Sequence, residues 1–150
     1  MGVEDALKLA RLPPVESTSG LVVSAQHLAA EAGVDILRRG GNAIDAAVAV
    51  GYAEAVVNPC CGNIGGGGFL TAHLADGRDI FINFRETAPA AAGRDMYLNA
   101  AGQPIRGASL FGWKAVAVPG TVLGLDTALM KYGSMPRAVV MEAADRKSVV

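Results

Sequence analysis

Side chains that staple or stiffen small folds are scarce in this 150-residue chain: two cysteines, one tryptophan, 5% aromatic residues and only 18% charged residues. The cysteines, Cys60 and Cys61, are neighbours. They offer no disulfide framework, make a mutual bridge awkward, supply no metal-ligand spacing and leave the redox compartment undetermined. A basic excess is also missing, since 13 Lys and Arg face 14 Asp and Glu for a net charge of −1. That balance argues against nucleic acid as a partner. No apolar run is long enough to span a bilayer; the longest, Ala43 to Val57, is broken by Asp45, Gly51 and Glu54. The first twenty residues contain no continuous apolar stretch of the secretory kind. As it stands the chain reads as cytoplasmic, and a true start further upstream leaves a periplasmic or secreted protein open.

What is abundant is apolar surface and glycine: 51% hydrophobic residues and 19 glycines. The length fits one domain with a sizeable core. Residues 1–19, broken by Pro13-Pro14 after a short helix-compatible stretch, read as a flexible arm, and residues 20–150 as the domain itself. Leu21 to Ala25, β-branched at its centre and preceded by Gly20, predicts a strand. A helix should follow, with Leu28, Ala32 and Ile36 in one row, Gly33 and Leu37 in the next, and Arg38, Arg39 and Gly40-Gly41 as its stop. Asn42 as N-cap and Asp45 three residues on open a second helix, apolar on nearly every face, that ends at Asn58-Pro59. Phe69 to Leu74 and Asp79 to Phe84 around the Asp76-Gly77 turn predict a hairpin. Ala90 to Gly112 is weakly determined apart from a turn at Asn99 to Gly102. Pro119 is expected in the first turn of a further helix with Val122, Leu125, Leu129 and Met130 on one face and Gly133 at its end. Ser134-Met135-Pro136 opens a last helix, and the residues from about Asp145 depart from helix in a way that suggests a truncated end.

The candidate sites are few. Gly65 to Gly68 could present backbone N–H groups to an oxyanion or carboxylate, or could allow a tight crossing into Phe69; spacing favours the crossing. Neither a P-loop nor G-x-G-x-x-G fits this run, so nucleotide binding gains no support. Arg85, at a strand end, has the planar fork that holds a carboxylate, although the residues alone favour a surface arginine balanced by Glu86 or Asp79. His27 and His73 lack a second metal ligand at suitable spacing and read as structural. Cys60 and Cys61 read as small buried side chains, and Trp113 and Tyr52 as packing residues. No metal or organic cofactor is implied.

Four segments in series, Gly-Gly-Asn-Ala-Ile-Asp-Ala-Ala-Val-Ala (40 to 49), Gly-Asn-Ile-Gly-Gly-Gly-Gly-Phe (62 to 69), Phe-Arg-Glu-Thr-Ala-Pro (84 to 89) and Val-Pro-Gly-Thr-Val-Leu-Gly (118 to 124), resemble the N-terminal part of the γ-glutamyltransferases. The likeness covers roughly Gly20 to Pro136. It implies an α/β (α+β) chain from an N-terminal-nucleophile hydrolase with an αββα sandwich, made as a precursor that cleaves itself into a large and a small subunit. The chemistry it implies is transfer of the γ-glutamyl group of glutathione or a related amide to water or an amino acid, through an acyl-threonine. Partners would be a small γ-glutamyl donor, the rest of the large subunit and the small subunit. Arg85 then becomes the holder of the donor's α-carboxylate, with Glu86, Gly65, Gly66, Gly67 and Gly68 as possible support. Two departures stand out: Asn83 occupies a position commonly Asp in the family, and none of Thr18, Thr71, Thr87, Thr121 or Thr127 has the family's Thr-Thr/Ser-His context. No catalytic residue is therefore assigned, and the 150 residues alone are expected to be inactive. The rival readings are a related amidase such as a β-lactam acylase and a non-catalytic carboxylate-binding module.

Overall fold

The computed structural model describes residues 14–147. The expected helix-compatible stretch before Pro13 and the last three residues lie outside them, and only residues 14–19 of the expected arm lie inside. The described residues form a helical layer packed on one face of a two-stranded antiparallel sheet, in the order α1 (His27–Arg38), α2 (Ala43–Val57), β1 (Phe69–His73), β2 (Asp79–Asn83), α3 (Thr121–Tyr132), α4 (Arg137–Val140) and α5 (Glu142–Lys147). This mixed, α+β composition matches the expected class.

Helix α2 is the centre because it has no polar face to give to water. Ile44, Ala46, Val48, Ala49, Tyr52 and Ala53 are all buried; α1 packs on it, as do α3, α4 and α5. Its small side chains let neighbours approach: a Cβ on Gly33 of α1 would lie 2.7 Å from Val50, and one on Gly51 of α2 would lie 3.1 Å from Leu125. Tyr52 is thus a packing residue as expected. The buried face of α1 runs through Ala29, Ala32, Gly33 and Ile36, so Ala29 takes the place expected of Leu28. The hairpin follows its alternation: Leu70, Ala72, Ile80 and Ile82 pack on the core, whereas Phe69, Thr71 and Phe81 face outward. The two outward phenylalanine rings stack at 5.8 Å.

Several expectations are corrected. Leu21 to Ala25 forms no strand, because no backbone among the described residues offers it a hydrogen-bond ladder. It lies as an extended ribbon held side-on, with Ser24 Oγ donating to Glu54 of α2 and Gln26 N–H donating to the same carboxylate at 3.2 Å. Pro119 stands outside α3, whose N-cap is Gly120. Only Leu125 and Leu129 of the expected α3 stripe are buried; Val122 and Met130 are exposed, and Gly124 and Ala128 complete the inward face instead. Cys60 and Cys61 are exposed rather than buried, and Trp113 is 94% exposed. Trp113 lies in a single 3-10 turn, Trp113–Ala115, tied to the preceding loop by Tyr97 Oη donating to Lys114 O at 3.0 Å. Helix α5 runs through Asp145 to Lys147, where departure from helix was expected.

Candidate functional site

The strand β2 delivers Phe84, Arg85 and Glu86 to the edge of the helical layer, and two glycine-bearing segments close around them. Phe84 extends the hairpin ladder by one step, donating to Gly68 O at 3.0 Å and accepting from Gly68 N–H at 3.3 Å. Thr87 and Val118 then exchange both backbone hydrogen bonds, at 3.2 and 2.9 Å, which joins the 84–89 segment to the 118–124 segment. Gly66 O accepts from the N–H groups of Gly120 and Thr121 at 2.8 and 3.1 Å, and so caps the opening turn of α3.

Crowding explains the residue type at each of these positions. A Cβ on Gly67 would collide with Phe84 O and lie 2.7 Å from Glu86 N; one on Gly120 would collide with Phe84 O; one on Gly124 would enter the Phe84 ring. Only glycine lets three backbones and an aromatic ring share this space. The glycine run is therefore the tight crossing that spacing favoured, and its Gly66 carbonyl occupies the helix N-terminus where an anion would otherwise sit. Gly66, Gly67 and Gly68 meet the 84–86 segment, whereas a Cβ on Gly65 would meet only Asn63 Oδ1, at 3.7 Å. Gly120 and Gly124 are supporting residues that the reading of the glycine run overlooked. The signal that could have found them is two glycines four apart at a helix start, a spacing that puts them on one face.

Arg85 itself projects outward. Its backbone N–H donates to Asn83 Oδ1 at 3.1 Å, its guanidinium carbon lies 5.8 Å from the centre of the exposed Phe69 ring, and its Nε is 3.0 Å from Glu86 Oε2. Glu86 Oε2 is buried and makes no hydrogen bond of good geometry, so the ion pair at Arg85 Nε is what neutralises it. Phe69 below and Glu86 beside are the side chains that support the fork. The side chain stays 58% exposed. Asp79 plays no part here; it meets His73 Nδ1 at 2.7 Å at the opposite end of the hairpin. His73 thus has an acidic partner, although not one that forms a metal site, and no group of three potential metal-ligating side chains occurs among the described residues. No helix among them is long and apolar enough to cross a membrane.

The second charged centre lies at the N-terminus of α2. Asn42 Oδ1 accepts from Ile44 and Asp45 N–H at 2.9 and 3.0 Å, while Asp45 Oδ2 accepts from Asn42 N–H at 2.8 Å, a complete capping box. The Asp45 carboxylate reaches further, accepting from Ser134 N–H and Oγ and from Met135 N–H. Burial pushes its carboxyl pKa up, but these hydrogen bonds together outweigh that and hold it below the ordinary carboxylate value.

The 62–69, 84–89 and 118–124 segments converge around one arginine, and comparison with known proteins identifies the lineage of this corner. Residues 29–147 match the gamma-glutamyltranspeptidase family. The glutathione hydrolase proenzyme of Pseudomonas sp. (strain A14) is 57% identical over 131 residues, covering 87% of this chain and 23% of that protein. That of Escherichia coli (strain K12) is 50% identical over the same length and covers the same shares. The crystal structure of Helicobacter pylori gamma-glutamyltranspeptidase superposes with a TM-score of 0.83 at 45% identity, covering 88% of this chain and 38% of that one. The chain belongs to the gamma-glutamyltranspeptidase family. It spans about a quarter of the length of the curated relatives it matches.

Proposed function

We propose that this chain is the leading part of the large subunit of a γ-glutamyltransferase or glutathione hydrolase proenzyme, and that Arg85 anchors the α-carboxylate of the γ-glutamyl donor. The single observation that carries the reading is the state of Arg85: its Nε is paired with Glu86 and its guanidinium lies over the Phe69 ring, while the side chain as a whole stays 58% exposed. Two parallel hydrogen bonds from such a fork hold a carboxylate firmly and orient what is attached to it. A donor so anchored presents its γ-carbonyl at a set distance, where a threonine from the remainder of the protein attacks the carbonyl carbon and the amine leaves with a proton. Water or an amino acid then takes the acyl group. The 150 residues contribute the anchor and no nucleophile.

The test is Arg85→Ala and Arg85→Lys in the full-length enzyme. Losing hydrogen bonds between charged partners costs about 1.5–3 kcal/mol, so donor KM should rise about 10–150-fold. Arg85→Lys should recover only part of the loss, since an ammonium cannot make the two-pronged contact. A normal donor KM in a well-folded Arg85 variant would refute the assignment. Comparing γ-glutamyl-p-nitroanilide with a glutaryl amide separates this reading from an acylase, because the glutaryl group lacks the amino-acid head; a preference for glutaryl substrates would reassign the enzyme.

A further inference from the structure

The turn between α2 and the glycine run carries a feature that the donor site does not use. Cys60 and Cys61 are both free and exposed, and their sulfurs lie 2.7 Å apart. Asn58 O accepts from the N–H groups of Cys61 and Gly62 at 3.1 and 2.8 Å, which holds both cysteines on one tight turn. Gly62 is pressed onto α2: a Cβ there would lie 2.6 Å from the Glu54 Cβ and 2.8 Å from its carbonyl oxygen. The turn is therefore fixed on the helix side, and any change in it is passed on toward Asn63 and the glycines. Asn63 Oδ1 and Glu86 Oε1 flank Gly66, and Gly67 lies beneath Phe84, Arg85 and Glu86.

We propose that Cys60 and Cys61 are a redox-switched vicinal dithiol that closes on small-molecule disulfides and, through the Gly62 to Gly67 loop, changes how Arg85 is held. The second half of this statement rests on the reading of Arg85 as the donor anchor; the first half does not. Neighbouring Cα atoms are about 3.8 Å apart, shorter than the roughly 4.4–6.8 Å that relaxed disulfides span, so a bridge between them is strained and readily reduced. Such a bridge opens and closes with its surroundings instead of acting as a permanent staple. In the closing reaction one cysteine thiolate attacks a sulfur of the small disulfide and expels a thiolate. The neighbouring thiol then gives up its proton and attacks the mixed disulfide, releasing the second small thiolate. The pair loses two electrons and two protons, and the small disulfide is reduced to two thiols. The Cys60 sulfur, hydrogen-bonded to Cys61 and acting also as a like charge, pushes the Cys61 thiol up, with slight burial and the Glu54 carboxylate adding to it.

The experiment equilibrates the full-length protein in mixtures of 2-mercaptoethanol and 2-hydroxyethyl disulfide, neither of which carries a γ-glutamyl group, and then alkylates with N-ethylmaleimide. Trypsin leaves both cysteines in one peptide, Gly40 to Arg78. The expected result is a peptide without alkyl groups, lighter by two hydrogens than the dithiol, that grows with the disulfide fraction and disappears on reduction. Donor KM should differ several-fold between the two states, and in Cys60→Ser and Cys61→Ser it should not respond to the mixture. Alkylation of both cysteines at every ratio, or a mixed disulfide that never resolves, overturns the switch. Closure with an unchanged donor KM overturns its link to Arg85. An error in the Arg85 reading shows separately, as an Arg85→Ala enzyme with normal donor KM, and leaves the peptide masses as they were.

Discussion

Asp45 and Arg85 both stand at the ends of regular elements and both come from segments shared with the γ-glutamyltransferases, yet the fold treats them in opposite ways. Asp45 is 0% exposed and its two oxygens collect hydrogen bonds from Asn42, Ser134 and Met135, so that the start of α2 and the chain leaving α3 are tied at one point. Arg85 lies on the surface with one ion pair and an aromatic ring for support. A buried charge has to be satisfied within the protein, since leaving it unpaired costs several kcal/mol. A charge supported on the surface and left more than half exposed is the arrangement a ligand can complete. The shared segments thus do two things: the 40–49 segment builds the frame, and the other three surround Arg85, the anchor proposed above.

The largest effect that would sharpen this contrast is expected from Asp45→Ala. Buried donors left without an acceptor cost about 1–3 kcal/mol each, so the variant should lose about 3 kcal/mol or more, seen as a lower Tm and poor soluble yield. Whatever enzyme does fold should keep its donor KM; a raised KM with normal Tm would move Asp45 from the frame to the site. Gly124→Ala comes next, because its methyl group would enter the Phe84 ring. Overpacking of this kind costs about 1–3 kcal/mol, and since Phe84 precedes Arg85 this variant should lower Tm and raise donor KM together. Unchanged donor affinity in Gly124→Ala would mean that the crowded backbones do not position Arg85. A smaller effect is expected in acid. The folded Asp45 carboxyl titrates below its unfolded value, so its stabilisation is complete above about pH 3.9 and is lost as pH falls through the folded value. The acid limb of unfolding should therefore be shallower in Asp45→Asn than in the parent, and identical limbs would refute the role given to this carboxylate.

Much of this was legible along the chain because it is local. The Asn42 and Asp45 capping box, the apolar run of α2 over nearly every face, the Asp76-Gly77 hairpin with its alternating sides and the Gly133 end of α3 each depend on residues a few positions apart. Arg85 was visible at a strand end, and the family resemblance gave it a role that its own spacing did not. What misled was apolar composition read without partners. Leu21 to Ala25 has the makings of a strand, but a strand exists only where another backbone pairs with it, and here Glu54 takes the ribbon from the side. Trp113, Val122 and Met130 were assigned to packing and lie exposed, as do Phe69 and Phe81. These side chains form apolar surface that the described residues leave uncovered.

The sequence by itself determined where α2 begins, where α1 and α3 end and where the hairpin turns, because caps, glycines and hydrophobic period act over a turn or two of backbone. It also determined the lineage, since four segments in fixed order carry more information than any one of them. Only the tertiary structure decided that Gly67, Gly120 and Gly124 meet at Phe84, that Ser134 and Met135 are tied to Asp45, and that Phe69 lies under the Arg85 fork. Those contacts join residues sixteen to ninety positions apart. Such pairings follow from how α2 buries its apolar surface and where the hairpin then has to lie, not from any property of the residues taken in order.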